Sequence, residues 1–448
     1  MNDVGTLGPM TTPRADPWPH AARTVEQHAA AVLALLDGLT LDPVTVPLAE
    51  AGGRVLAQDV VAGLELPPFD NAQMDGYAVR AADLARTPGG PVALPLTAAV
   101  PAGAVPALLP PGTAAAIMTG AMIPAGADAV VPVEETDPAR FPDWVGDALE
   151  PPSGAHVQFV DDAASTTTGR FVRPAGSDLA RGATALTAGT RLTPAAVGVL
   201  AALGSADVVV RRRLRVLLYS TGSEVVAPGL PLGAGQIHDA NTAILRATLT
   251  ACGAEVVTAR LVADEPAALL AAVASDVRET APDLLISSGG ISRGAFEVVK
   301  QALGRRGVVF GPVAMQPGGP QGAGLLAVGG GDRSAPVPFL AFPGNPVSTL
   351  VSVEMFLRPA LATRFGAPAR PRFRAVLAEP VTPLAGKQQI RRGVLDASGD
   401  DGEPTVRLVG GPSSHLLHAA ATADVLVHLP MTADTLPAGT PVTVTPLD

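Results

Sequence analysis

Arg215-Val-Leu-Leu-Tyr-Ser-Thr-Gly-Ser-Glu224 decides the fold. It opens on an apolar run of the kind buried on both faces of a sheet, and it stops at a cluster of small polar residues around a glycine. The pattern recurs at Leu284-Leu-Ile-Ser-Ser-Gly-Gly290, and a third polar turn stands at Phe342-Pro-Gly-Asn-Pro346. Residues 242–252, 266–277 and 295–303 carry helical spacing, and 255–261 reads as a further strand. Strands alternating with helices of this length predict a doubly wound, mostly parallel α/β sheet. Ligands of such sheets sit outside the carboxyl ends of the strands, where all three polar turns fall.

Outward from this core, Thr24-Val-Glu-Gln27 forms a capping box that opens an amphipathic helix over 24–37. Residues 191–205 predict a second helix, capped by Thr193, started by Pro194 and stopped at Gly204. From 54 to 172 the chain changes to short β-like runs broken by turns such as Pro101-Ala-Gly and Pro124-Ala-Gly. Alternating runs return from about 370 and predict a small C-terminal β domain. The first twenty or so residues lack the apolar centre of a signal peptide and read as a disordered leader. The expected divisions are a leader (1–22), a helical part split between 23–53 and 173–212, and a β-rich insertion (54–172). An α/β domain (213–367) and a C-terminal β domain (368–448) follow, making a multidomain α/β protein.

Composition narrows the function. The 448 residues carry a formal net charge of −10, which argues against binding nucleic acid through phosphate neutralisation. A single cysteine, Cys252, excludes an internal disulfide, a CxxC pair and a multi-cysteine metal site. No uninterrupted apolar stretch of membrane-spanning length occurs, and the reading is a cytoplasmic protein with no membrane partner.

Ser220, Thr221 and Gly222 in the first turn, Ser287, Gly289, Gly290 and Ser292 in the second, and Pro343, Gly344, Asn345 and Pro346 in the third suit a phosphate-bearing ligand. Glycine lets the backbone approach, while amides and hydroxyls hold oxyanions. None of the turns matches GxxxxGK[ST] or GxGxxG. Gly290-Ile-Ser-Arg-Gly294 does match the nucleophile elbow of a hydrolase, with His415, His418 and His428 downstream. The predicted strand ends before Gly290, however, and the histidines fall in the separate β domain, so Ser292 also reads as a loop serine contacting an anion. Among the carboxylates, Asp75, Asp178, Glu224, Asp264 and Glu297 stand on predicted loops. As a set they could bind a hard cation such as Mg²⁺, which prefers carboxylates, water and substrate phosphates.

Several motifs together resemble one family. They are Leu66-Pro-Pro-Phe-Asp-Asn-Ala-Gln-Met-Asp-Gly-Tyr-Ala-Val79, Ile117-Met-Thr-Gly-Ala121 with Pro124-Ala-Gly-Ala-Asp-Ala-Val-Val131, and Leu218-Tyr-Ser-Thr-Gly-Ser-Glu224. Gly235-Gln-Ile-His-Asp-Ala-Asn241, Ser287-Ser-Gly-Gly-Ile-Ser292 and Phe342-Pro-Gly-Asn-Pro-Val-Ser348 follow in family order. This set resembles the molybdopterin molybdenumtransferases, the MoeA family, which includes the plant and gephyrin E domains. The resemblance implies a homodimer whose cleft joins the α/β and C-terminal domains of one subunit to the inserted domain of the other. It implies a divalent-metal-dependent hydrolysis of adenylylated molybdopterin, with molybdate supplying the metal for the dithiolene and AMP released. A molybdopterin adenylyltransferase is the implied upstream partner.

Residue by residue, the resemblance implies Asp75 and Thr119 as cleft residues from the partner subunit. It implies Asp178, Glu224 and Asp264 as acids for metal or substrate, with Glu297 standing where the family has an Asp. Glu224, Asp264 and Glu297 are the expected metal set. The glycine-rich turns would cradle the pterin and its phosphates, while Arg392 and Ser414 would line the molybdate pocket. One departure stands out. Met315-Gln-Pro-Gly-Gly-Pro320 matches a family stretch that often reads Lys-Pro-Gly-Lys-Pro, so Gln316 and Gly319 replace two cations. That loss makes a non-catalytic pterin-binding or scaffolding paralogue the alternative to an enzyme.

Overall fold

The computed structural model describes residue 18 and residues 21–85, 91–146, 149–160, 165–292, 297–328, 336–396 and 403–447. The expected leader lies mostly outside this range, although Trp18 is described and its indole N–H donates to the carbonyl of Pro312 at 3.2 Å. By contact density the chain falls into two compact units, one of residues 45–52 and 56–209 and the other comprising the rest.

Both predicted caps form. Helix α1 (Val25–Leu35) opens with Thr24 accepting from the Gln27 amide while Gln27 reaches back to the Thr24 amide. Helix α2 (Pro194–Ala202) has Thr193 accepting from the amide of Ala196 and Pro194 in its first turn. They serve different units, since α1 buries Val25 and Val32 in the core beneath the α/β sheet, whereas α2 belongs to the β-rich unit.

The β-rich unit is built on a six-stranded sheet. Its strands are β1 (Gly76–Val79), β2 (Val92–Val100), β3 (Ala114–Ile117), β4 (Ala129–Pro132), β5 (Thr136–Asp137) and β6 (His156–Phe159), in the order β4-β1-β3-β2-β6-β5. Gly76 has to be a glycine: a Cβ there would stand 2.1 Å from the carbonyl oxygen of Val131.

The second unit holds the α/β sheet. In chain order come β7 (Arg215–Thr221), α3 (Ala240–Ala251), β8 (Glu255–Val262), α4 (Pro266–Thr280), β9 (Leu284–Ser288) and α5 (Val298–Leu303). Strands β10 (Val308–Pro312), β11 (Pro320–Leu326) and β12 (Val337–Phe342) and helix α6 (Pro346–Ser352) follow. The spatial order is β8-β7-β9-β12-β11-β10, the first four mutually parallel and β11 antiparallel to both of its neighbours, β12 and β10. The helix expected from 295 is seen from Val298, residues 293–296 lying outside the described range. Strand order reverses between β7 and β9, and a ligand crevice belongs at such a switch point.

The C-terminal strands β13 (Phe373–Leu377), β14 (Gln388–Asp396), β15 (Thr405–Val409), β16 (Val425–Leu429) and β17 (Pro441–Pro446) close into a five-stranded barrel through the β14–β16 pairing. The short strand Met315–Gln316, which leaves the α/β sheet, pairs in parallel with the start of β14.

Candidate functional site

A cavity of about 720 Å³ opens at the carboxyl ends of β7, β9 and β12. Thr221 and Gly222 enter it from β7, Gly289 and Gly290 from β9, and Pro343–Pro346 from β12. Close approach explains the glycines. Gly289 has φ +96°, and a Cβ there would lie 2.7 Å from the Thr221 carbonyl oxygen. At Gly222, with φ +145°, a Cβ would lie 2.9 Å from both carboxylate oxygens of Glu224. Thr349 holds the third turn from beneath, its hydroxyl donating to the carbonyl of Pro343 at 2.8 Å. Ser220 and Ser287 stay buried in their strands, so the cradle begins one or two residues further along, at Thr221 and Gly289.

Four carboxylates line this cavity: Glu224, Asp239, Asp264 and Glu297. Asp264 accepts from the amide and hydroxyl of Ser223 at 2.9 and 3.1 Å. Glu297 accepts from both the amide and the hydroxyl of Ser292. The Glu224 carboxylate accepts no hydrogen bond among the described residues, although its backbone carbonyl accepts from the Ile237 amide at 2.8 Å. No group of three or more metal-ligating side chains is assembled among the described residues. The acids therefore do not form a ready cage of the expected Glu224–Asp264–Glu297 kind. They suit a Mg²⁺ that takes one or two carboxylates and completes its shell with water and substrate phosphate.

The hydrolase reading meets two obstacles. Ser292 donates to a carboxylate, not to a histidine. The later histidines are engaged in the barrel region, where His415 Nδ1 pairs with Ser413 Oγ at 2.7 Å and His428 Nε2 with Thr445 Oγ1 at 2.8 Å.

On the barrel side the cavity is lined by Gln316, Gly319, Lys387, Ser413 and Ser414. Ser414 stands where expected. Arg392 does not: it is fully buried and absent from the lining, with Nη2 donating to the carbonyls of Gly411 and Ser413 at 2.6 and 3.4 Å. It holds the loop that carries the two serines from behind. Lys387 is the one Lys or Arg among the described lining residues.

Asp75, Thr119 and Asp178 belong to the other unit. Asp75 Oδ1 accepts from the Thr119 amide at 2.7 Å and hydroxyl at 2.8 Å, an exposed pair fixed across two loops. Asp178 is exposed, and its amide donates to the carbonyl of Leu66 at 2.9 Å.

Asp239, Asn241 and Lys387 are among the lining residues that the sequence reading leaves unassigned. Asp239 caps α3, accepting from the amide and hydroxyl of Thr242 at 3.0 and 2.6 Å; an acid just before a helix was the available signal. Asn241 donates to the Gly344 carbonyl at 2.7 Å, tying α3 to the third turn, while its Oδ1 is buried without a partner among the described residues. Lys387 sits in a turn whose sequence reads as plain solvated surface.

Three family models cover most of the chain. The MoeA N-terminal region (domain I and II) matches residues 23–204, a probable molybdopterin binding domain matches 218–363, and the MoeA C-terminal region (domain IV) matches 374–447. Molybdopterin molybdenumtransferase 2 of Mycobacterium tuberculosis is 43% identical over 432 residues, covering 93% of this chain and 98% of that protein.

The chain belongs to the MoeA family.

A second MoeA-family relative, molybdopterin molybdenumtransferase of Synechococcus elongatus, is 37% identical over 89% of this chain and 93% of its own length. The crystal structure of the MoeA protein of Pyrococcus horikoshii superimposes with a TM-score of 0.73 at 27% identity, covering 96% of this chain and 100% of that one. This MoeA-family chain is an enzyme of molybdenum cofactor biosynthesis, a transferase, and the scaffolding alternative is not favoured. Among the described residues no helix is long and apolar enough to cross a membrane.

Proposed function

We propose that this protein inserts molybdenum from molybdate into adenylylated molybdopterin, releasing AMP. The observation that carries this reading is the division of one cavity into two chemistries. The α/β side offers glycine-rich turns and four carboxylates, and the barrel side offers Lys387, Ser413 and Ser414. Thr221, Gly289 and the Pro343–Pro346 turn would admit the phosphates to the backbone. The unpartnered Asn241 Oδ1 would accept an N–H from the pterin. On the barrel side a dianion would meet one ammonium and two hydroxyls, a donor set that matches molybdate.

So many acids facing an anionic substrate call for an added cation. A divalent ion such as Mg²⁺, held by Glu224 and Asp264 together with the substrate phosphates, would offset charge on the adenylate. Glu297 would act through Ser292, whose amide and hydroxyl it already engages. Asp75 and Thr119, paired on the other unit, would enter the cleft from the partner subunit of a homodimer. Asp178 would assist the same cleft. A molybdopterin adenylyltransferase would supply the substrate, and the cytoplasm is the expected compartment. The test is molybdate-dependent AMP release from adenylylated molybdopterin by the purified protein. Binding of the pterin without AMP release would leave a non-catalytic paralogue in its place.

A further inference from the structure

The barrel has a second cavity at its mouth, of about 240 Å³. Val381, Val406 and Leu408 form apolar walls, and Arg391, Glu379 and Gly410 supply the polar groups. Arg391 shares a face of β14 with Gly393, whose absent side chain would point at Val406, Val425 and Val427 in the barrel interior. The side chain of Arg391 is thus directed inward, and the residue is 91% buried, at 9% exposure. One nitrogen, Nη2, donates to the Gly410 carbonyl at 3.2 Å, whereas Nε is buried with no partner among the described residues. Glu379 lines the same cavity, yet no ion pair to Arg391 is formed among the described residues.

A guanidinium taken out of water without a counter-charge is unfavourable unless something else satisfies it. Burial accordingly lowers the Arg391 pKa from its ordinary value. The space is of the right order for one tetrahedral oxyanion with a few waters, each water occupying about 30 Å³. We propose that the barrel mouth is a binding site for a small tetrahedral oxyanion, gripped by Arg391 and separate from the strand-end cavity. The two sites share a wall. Arg391 holds Gly410 from one side, Arg392 holds Gly411 and Ser413 from the other, and the same segment presents Ser413 and Ser414 to the larger cavity. An anion that draws on Arg391 competes with its grip on Gly410, so occupancy at the mouth is linked to the position of the two serines, and the linkage is reciprocal.

The oxyanion could be molybdate itself or an abundant anion such as sulfate or phosphate, and the experiment separates them. Full-length protein is dialysed to equilibrium against labelled molybdate, alone and with sulfate or phosphate as competitor, for the wild type, Arg391→Gln, Glu379→Gln and Lys387→Ala. Two molybdate sites per chain are expected. Arg391→Gln should weaken one of them at least tenfold, Glu379→Gln should strengthen that same one by removing a repelling carboxylate, and Lys387→Ala should affect only the other. Displacement from the mouth by sulfate or phosphate at lower concentrations than molybdate itself requires would assign the site to those anions. Crystals soaked in tungstate should show a peak within hydrogen-bonding distance of Arg391 Nε, a readout that survives if Arg391→Gln fails to fold. A single molybdate site insensitive to both Arg391→Gln and Glu379→Gln would overturn the proposal. So would a tungstate peak confined to the strand-end cavity, or an Arg391–Glu379 ion pair filling the mouth.

Discussion

The side-chain amide of Gln389 donates to that of Gln316 across 2.6 Å, one neutral group locking another at the edge of the cavity. Gln316 stands where the family often has a lysine, and here it is held in place by a partner on β14. The pair is a stable substitute for packing and hydrogen bonding but brings no charge. Any positive field for an oxyanion has to come from elsewhere on this wall, and Lys387 is the candidate.

Lys387→Ala should therefore raise the molybdate concentration for half-maximal AMP release by about tenfold, the lower end of what losing a charge-assisted hydrogen bond implies. Because Lys387 is exposed, added salt should shrink the difference between wild type and variant. Identical molybdate curves for the two proteins would remove Lys387 from the site.

Gly319→Lys tests the same wall by addition. A Cβ at Gly319 would find its nearest atoms, the carbonyl oxygens of Met315 and Val313, at 3.5 Å, an ordinary contact, and it is Gly318 that has the left-handed φ of +93°. The lysine should fit and lower the molybdate requirement by about tenfold to a hundredfold. Affinity for adenylylated molybdopterin should stay close to the wild-type value. An unchanged molybdate dependence in a folded variant would mean that Gly319 does not face the oxyanion.

Glu224→Gln removes charge from an exposed loop residue with little packing and should leave the thermal midpoint unaltered. Metal-dependent adenylate hydrolysis should fall about a hundredfold, with a steeper demand for Mg²⁺. Wild-type turnover would exclude Glu224.

Acid should destabilise the protein through two buried histidines. Burial, with Arg23 nearby, pushes the His28 imidazole down to about 3, and burial with Arg372 takes His428 to about 4. Both bind their proton more weakly when folded than when unfolded. Their contribution is complete above the unfolded value near 6.5 and is lost as pH falls below it, at about 1.4 kcal/mol per pH unit for each group. His28 packs edge-on to Phe356 with ring centres 4.6 Å apart. A His28→Leu variant should therefore show a shallower decline of unfolding free energy between pH 6.5 and 4.5 in urea titrations. An equal slope in both proteins would acquit His28.

A cleft shared between subunits, as proposed above, would require a dimer. Light scattering at micromolar concentration should give twice the chain mass, and a fully active monomer would contradict the proposed role of Asp75 and Thr119.

Much of the α/β sheet could be read from the chain because its buried strands are local apolar runs and the helices between them carry their own helical spacing. The cavity-lining turns were legible for the same reason, being short and contiguous. What could not be read depends on pairings between distant residues. The closure of β14 on β16, the Gln316–Gln389 bond and the burial of Arg392 beneath the Gly411–Ser413 loop have no local signature. The family resemblance places Arg392 in the oxyanion pocket; in the fold its Nη2 is turned onto backbone carbonyls, while Nε and Nη1 are buried with no partner among the described residues. Lys387 escaped notice for the opposite reason, since a lone lysine beside a glycine in a turn resembles any other surface charge.

The strand Met315–Gln316 has a mechanical consequence. It is continuous with the α/β sheet through the backbone, yet its ladder partner is a stave of the barrel. Widening the gap between sheet and barrel has to break this seam, so a two-residue ladder acts as one latch on the cavity's width. Amide exchange at Gln388, whose N–H donates to the Ala314 carbonyl across the seam at 2.9 Å, would time the latch, and a ligand that seats on both walls should slow it.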